Sequence, residues 1–140
     1  MDDAAVSLDF ECPAPMERVW AALTDPTALS RWMFFETEDF RPAVGCRFHF
    51  RPKPEIGWPA VVEGEVLEVQ TPHRLVYTWE VAQLGHATRV TWTLTPLDGG
   101  RTRLQLEQRG FAPEATQELD GARYGWSAQL GQLQQILGLA

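Results

Sequence analysis

The chain is poor in the residues that carry most covalent and ionic chemistry. Its 140 residues include one lysine, Lys53, three histidines and two cysteines, Cys12 and Cys46. Lys53 stands in a proline-rich stretch, which argues against a buried Schiff-base amine. The serines are Ser7, Ser30 and Ser127, and none occupies a Gly-x-Ser-x-Gly elbow. His49, His73, His86, Cys12 and Cys46 show neither the close cysteine pairs nor the His-Glu-x-x-His spacing of zinc sites, so no metal is expected. No glycine-rich loop comes with the Lys and Ser/Thr that cradle phosphate, so no nucleotide and no cofactor is expected either. The net charge is −7 without a long run of one sign, which excludes the basic patches that nucleic acid and anionic membranes select. No apolar stretch approaches the roughly 20 residues that span a bilayer. The start, Met1-Asp2-Asp3, is acidic and unlike a signal peptide. Two distant thiols in such a chain are expected to be reduced, in a cytoplasmic protein.

Aromatic residues are plentiful: six Trp and seven Phe. Aromatics fill cores first, but they also line pockets for apolar ligands. Much of the chain has the two-residue alternation of half-buried strands. Val6, Leu8 and Phe10 alternate with Ser7, Asp9 and Glu11. After Pro13 and Pro15, Met16, Val19, Trp20 and Leu23 share one helical face. Asp25 is placed to cap, and Pro26 to begin, a second short helix carrying Leu29 and Trp32. Extended chain is expected over Phe34 to Phe40, and a turn from Pro42 to Gly45. Phe48 and Phe50 flank His49 in a strand, which points His49 away from the phenylalanine face. Pro52 to Pro59, including Trp58, reads as a loop. Val62, Gly64 and Val66 oppose Glu63 and Glu65. Leu75, Tyr77, Trp79 and Val81 oppose Val76, Thr78 and Glu80. Turns are expected at Thr71-Pro72-His73 and Leu84-Gly85-His86. Val90, Trp92 and Leu94 form the next inward set. Asp98-Gly99-Gly100 is a hairpin signal, because these residues accept positive φ. Leu104 and Leu106 follow before Gly110 breaks the pattern.

The last stretch, roughly Glu114 to Leu139, reads as one long helix, with Pro113 suited to its first turn. Leu119, Ala122, Trp126, Leu130, Leu133 and Leu137 fall on a single stripe that must be wrapped by something else. Gly121, Gly125, Ala128 and Gly131 leave part of this helix almost without side chains. Two readings follow: close packing of helix on sheet, or a face kept small beside a ligand. The whole pattern predicts an α+β fold over residues 1–140 as a single domain. A curved antiparallel sheet wraps a long C-terminal helix, with two short helices after the first strand.

The run Pro15-Met16-Glu17-Arg18-Val19-Trp20-Ala21-Ala22-Leu23-Thr24-Asp25-Pro26, with Leu29 and Trp32, resembles the START-like superfamily, also called SRPBCC or Bet v 1-like. Within it, the chain resembles the group related to the C-terminal domain of the activator of Hsp90 ATPase. Gly45 with Phe48, Gly64 to Val69, Pro72 to Trp79, Asp98 to Leu104 and Gly125-Trp126 match that group in order. The resemblance implies a helix-grip fold and, in many members, an apolar or amphipathic small molecule held between sheet and helix. Other members are cyclases or hydroxylase subunits. The eukaryotic activator binds Hsp90 with the help of an additional N-terminal domain, which is not expected here.

The expected cavity residues are Trp32, Phe34, Phe48, Tyr77, Trp79, Trp92, Tyr124 and Trp126. With Glu63, Glu65, Glu80, Arg89, Arg103 and His49 expected on the outer face, no catalytic constellation is expected. The reading that follows is non-catalytic binding of a small hydrophobic or amphipathic molecule. The alternatives are a protein-interaction module of the Hsp90-activator kind, with a chaperone or other protein as partner and a stress-response role, or a cyclase- or hydrolase-like enzyme.

Overall fold

The computed structural model describes residues 5–57, 60–81, 87–112 and 115–138. The expected loop residues Trp58-Pro59, the Leu84-Gly85-His86 turn, the helix start at Pro113-Glu114 and the helix end at Leu139 lie outside the described residues. Strand β1 (Ala5–Cys12) is followed by helices α1 (Met16–Thr24) and α2 (Pro26–Trp32). Six strands come next: β2 (Phe35–Glu36), β3 (Arg47–Pro52), β4 (Val62–Gln70), β5 (Arg74–Val81), β6 (Ala87–Leu97) and β7 (Arg101–Arg109). Helix α3 (Thr116–Gly138) closes the chain. The strands form one antiparallel seven-stranded sheet in the order β1-β7-β6-β5-β4-β3-β2, curled as a half-barrel beside α3.

Local chemistry explains the breaks. Between α1 and α2 the Asp25 carboxylate accepts from Ala28 N at 2.9 Å, and Pro26 takes the first helical position, so one helix ends where the next is capped. The β6–β7 hairpin turns through Gly99 and Gly100, both at positive φ, in a short 3-10 turn that brings Leu97 opposite Arg101. On β4, Gly64 lies opposite Phe48. A Cβ there would stand 2.2 Å from the Thr78 carbonyl oxygen and 2.4 Å from the Phe48 ring, so only glycine lets β3, β4 and β5 close at this point.

One expected strand is much shorter than its sequence suggests. Extended pairing covers only Phe35–Glu36 of the Phe34–Phe40 run. The chain leaves the sheet because Thr37 Oγ1 donates to Asp39, and the Asp39 carboxylate accepts His49 N at 2.9 Å while holding His49 Nδ1 at 2.8 Å. Phe40 then drops fully into the core. His49 itself lies half-exposed on the outer face while Phe48 and Phe50 point inward.

The interior is strongly aromatic at the β3–β5 end. Phe40, Phe48, Phe50 and Tyr77 pack with centroids 5.0 Å apart for Phe40–Phe48, 4.8 Å for Phe48–Phe50 and 5.2 Å for Phe48–Tyr77. Each such pair adds about 0.5–1.5 kcal/mol beyond the area it buries. The other end of the core is aliphatic: Val6, Val19, Leu23, Leu94 and Leu104 are all buried.

Candidate functional site

Helix α3 behaves differently along its length. Its C-terminal half buries Leu130, Leu133 and Leu137 and packs on β1, α1 and α2. In the N-terminal half Trp126 is buried and reaches the sheet, with open space beside the helix backbone near it. A Cβ built on Gly121, Gly125 or Gly131 meets nothing within 4 Å; Gly121 and Gly131 are exposed and Gly125 is half-buried. Close packing of helix on sheet therefore does not account for these glycines. Gly121 and Gly125 instead border a cavity of about 400 Å³.

The sheet side of this cavity comes from Trp79 and Val81 of β5, Thr88 of β6 and Gln108 of β7. Phe34 and Phe35, just after α2, form one flank, and Phe111 another. Helix α3 supplies Ala122, Trp126 and Gln129 beside the two glycines, with Gln117 and Glu118 at its first turns. Ile56 and Tyr124 stand at the mouth, where Tyr124 is 75% exposed. Glu118 and Tyr124 are the ionisable groups on the described wall, and no Lys, Arg or His belongs to it.

The polar groups of the wall form an ordered chain. Trp126 Nε1 donates to Gln108 Oε1 at 2.7 Å, Gln108 Nε2 donates to Thr88 Oγ1 at 2.8 Å, and Thr88 Oγ1 donates to the Trp79 carbonyl at 3.1 Å. Indole N–H is only a donor, so the Gln108 oxygen must face Trp126 and its amide nitrogen must face Thr88. Gln129 makes a second link: its oxygen accepts Phe34 N at 2.8 Å and its nitrogen donates to Gly125 O at 3.1 Å. Both glutamines are nearly fully buried, and burial at this depth is tolerated because the amides are hydrogen-bonded. The Trp79 ring is held by Phe35 at 5.6 Å, Phe50 at 5.7 Å and Trp126 at 5.2 Å.

The eight residues expected around the cavity divide into two sets. Phe34, Trp79, Tyr124 and Trp126 stand on its wall. Trp32, Phe48, Tyr77 and Trp92 lie in the packed interior and not on the wall. Their polar atoms are spent there: Trp32 Nε1 donates to Ala22 O at 2.9 Å, and Trp92 Nε1 donates to Tyr77 Oη at 3.0 Å. Tyr77 and Trp79 point to the same side of β5, so alternation could not separate them. They differ in position along the strand. Tyr77 meets the Phe40–Phe48–Phe50 cluster, whereas Trp79 lies further along, where it meets Trp126 of α3 and borders the cavity. Burial drives the Tyr77 phenol well above the ordinary tyrosine range despite its bond to Trp92, and raises the Cys12 thiol to about 11. Neither group is poised to exchange protons or attack at neutral pH.

Residues absent from the expectation include Phe35, Ile56, Val81, Thr88, Phe111, Gln108 and Gln129. Two of these were findable. Gln108 continues the inward series Thr102, Leu104 and Leu106 at spacing two, and Gln129 lies three residues after Trp126 and four before Leu133. A glutamine on an apolar stripe was the signal.

A sequence model of the family described as Activator of Hsp90 ATPase homolog 1-like protein matches residues 13–138. Among proteins with curated descriptions, none is matched by this sequence. Solved structures are similar over almost the whole chain. A protein from Mesorhizobium loti is 34% identical with a TM-score of 0.87, covering 97% of this chain and 98% of that one. A protein of the dynemicin biosynthetic locus is 26% identical with a TM-score of 0.82; the match covers 98% of this chain and 48% of that one, so this chain spans about half its length. An HSP90 activator from Plasmodium falciparum, 22% identical with a TM-score of 0.77 over 96% of each chain, shares the fold.

Proposed function

The chain belongs to the Activator of Hsp90 ATPase homolog 1-like family, and on that premise we propose that it binds a small hydrophobic or amphipathic molecule, without covalent chemistry, in the cavity beneath the N-terminal half of α3. The observation that carries this reading is the open face at Gly121 and Gly125. Interior glycines weaken a helix by about 1 kcal/mol each relative to alanine. Here no neighbouring atom requires them, and the space they leave is walled by aromatic rings. A volume near 400 Å³ falls in the range of small-molecule sites. The likeness to a protein of the dynemicin biosynthetic locus is in keeping with this reading. The cavity offers apolar surface with a few fixed polar groups, an arrangement that orients a ligand.

Native mass spectrometry of protein purified gently from its own host tests the reading. The expected result is a reproducible added mass that leaves on denaturation and is lost in Trp79→Ala. An apo mass from such preparations, together with failure of any apolar probe to perturb Trp79 or Trp126 fluorescence, would overturn it.

A second reading, interaction with a chaperone, is favoured by the family's description alone. It expects that saturating protein accelerates the ATPase of a cognate Hsp90; an unchanged rate, with no stable complex on a sizing column, removes it.

A further inference from the structure

The sheet has two ends, and the chain finishes them differently. Beside β3 the segment after β2 folds over, and the Asp39 carboxylate takes the His49 N–H, so the protein itself closes that edge. At the other end β1 pairs with β7 on one side alone. The Glu11 carbonyl faces the free side, where it accepts from the Gln134 amide of α3 at 3.1 Å. Backbone groups alternate in direction along a strand, so the N–H and C=O of Ala5, Ser7 and Asp9 face that side as well. These groups have no hydrogen-bond partner among the described residues.

Edge strands are commonly guarded by charged side chains that repel an incoming strand. On β1 that guard is neutralised. Arg103 Nε holds both oxygens of Asp9 at 3.1 Å, and Arg101 holds Glu11, so both carboxylates are drawn back over β7. On the opposite face Leu8 and Phe10 stay part-exposed between the buried Val6 and Cys12. An open backbone, matched charges and incompletely covered apolar side chains therefore coincide on one short stretch.

An antiparallel copy of the same strand fits this stretch. To keep apolar side chains on one face, odd-numbered residues must pair with odd-numbered ones. Centred on Ser7, the pairing sets Ala5 opposite Asp9, Val6 opposite Leu8, and Ser7 opposite Ser7 of the second copy. No like charges then face each other, and Gln134 is left clear. Centres further along the strand run into the Glu11 end that Gln134 occupies, and a centre at Asp9 sets two carboxylates opposite each other. We propose that β1 is the docking edge for β1 of a second copy of this chain, paired antiparallel about Ser7, so that two sheets join across a two-fold axis. So short a pairing buries little surface, and the dimer is a weak one that forms at high concentration.

Sedimentation velocity of the full chain tests this from about 10 μM to about 1 mM, where small interfaces associate. Backbone hydrogen exchange is followed by NMR at both ends of the range. The dimer fraction should rise with concentration. The Ser7 and Asp9 amides should gain protection with it, while the Val6 and Leu8 amides, which face β7, keep the protection they already have. Ser7→Pro removes an outward donor without touching the β7 ladder, a place where edge strands accept proline, and should leave a monomer throughout. Ser7→Lys sets like charges opposite each other on the two-fold axis and should weaken the dimer about fivefold. A wild-type chain that stays monomeric, a dimer that forms without protecting Ser7 and Asp9, or one that Ser7→Lys tightens would each overturn the proposal. So would a dimer that survives Ser7→Pro. If the proline variant folds poorly, the wild-type exchange pattern and the exposed Ser7→Lys change still decide.

Discussion

At the scale of single residues, glycines in this chain have opposite meanings that composition cannot separate. Gly64 is fixed by contact: its missing Cβ would collide with a backbone carbonyl and an aromatic ring that cannot move far in a packed core. Gly64→Ala is expected to destabilise by about 3 kcal/mol or more, read as a lower midpoint in a urea melt. Gly125 has open space in the same position, so Gly125→Ala should be neutral or stabilising by up to about 1 kcal/mol. The thiols also part company. Cys12 is buried with its pKa pushed up to about 11, whereas Cys46 is only partly buried. Iodoacetamide at mildly alkaline pH should label Cys46 in the native protein and reach Cys12 only after unfolding; rapid native labelling of Cys12 would contradict its placement. The sequence gives little warning of either contrast. The fate of Gly64 depends on Phe48, which is sixteen positions earlier, and on Thr78, fourteen positions later.

Secondary-structure elements were far more legible. Alternation placed six of the seven strands, because a sheet with one wet face stamps its period of two on the chain. The Asp25-Pro26 junction and the Gly99-Gly100 hairpin were readable because their chemistry is local. The β2 region was misjudged because what shortens it is a carboxylate bound to a histidine on another strand. In α3, the apolar stripe was visible, but a stripe does not reveal whether a sheet lies against all of it. That is why four of the eight expected cavity residues, Trp32, Phe48, Tyr77 and Trp92, lie in the core instead. The divided helix makes its own prediction. Gly121→Ala and Gly125→Ala together should raise the melting temperature by a few degrees, on the order expected for 1–2 kcal/mol in a chain of this size. The same pair should weaken binding of an apolar probe in the cavity, because both positions border it. Close packing at these positions would instead lower the melting temperature.

For the molecule as a whole, the outer face contributes a pH dependence that the cavity does not. Burial works to raise the Asp39 carboxyl, but hydrogen bonds from the His49 side chain and backbone and from Thr37 outweigh it and hold the carboxyl below its ordinary value. A carboxyl with a depressed native pKa adds stability that is fully present above its unfolded value, near pH 4, and is lost as pH falls through the native one. Acid titration of wild-type protein against Asp39→Asn should therefore show the wild type losing its advantage below about pH 4. Parallel acid profiles would show that the Asp39–His49 contact contributes nothing. The architecture at this scale was the most readable feature of all, since the order of elements and their motifs extend along nearly the entire chain. The site was less so, because it exists only where space is left between one end of a helix and the sheet.

That space has a consequence for descent. The anchoring of α3 is concentrated at Leu130, Leu133 and Leu137, while its chamber-facing end can change side chains at Gly121 and Gly125 without striking anything. Substitutions there alter the size and chemistry of the chamber at little cost to folding, whereas Gly64 and the aromatic cluster resist change. Variation at those positions can reshape the chamber within a fold that stays still.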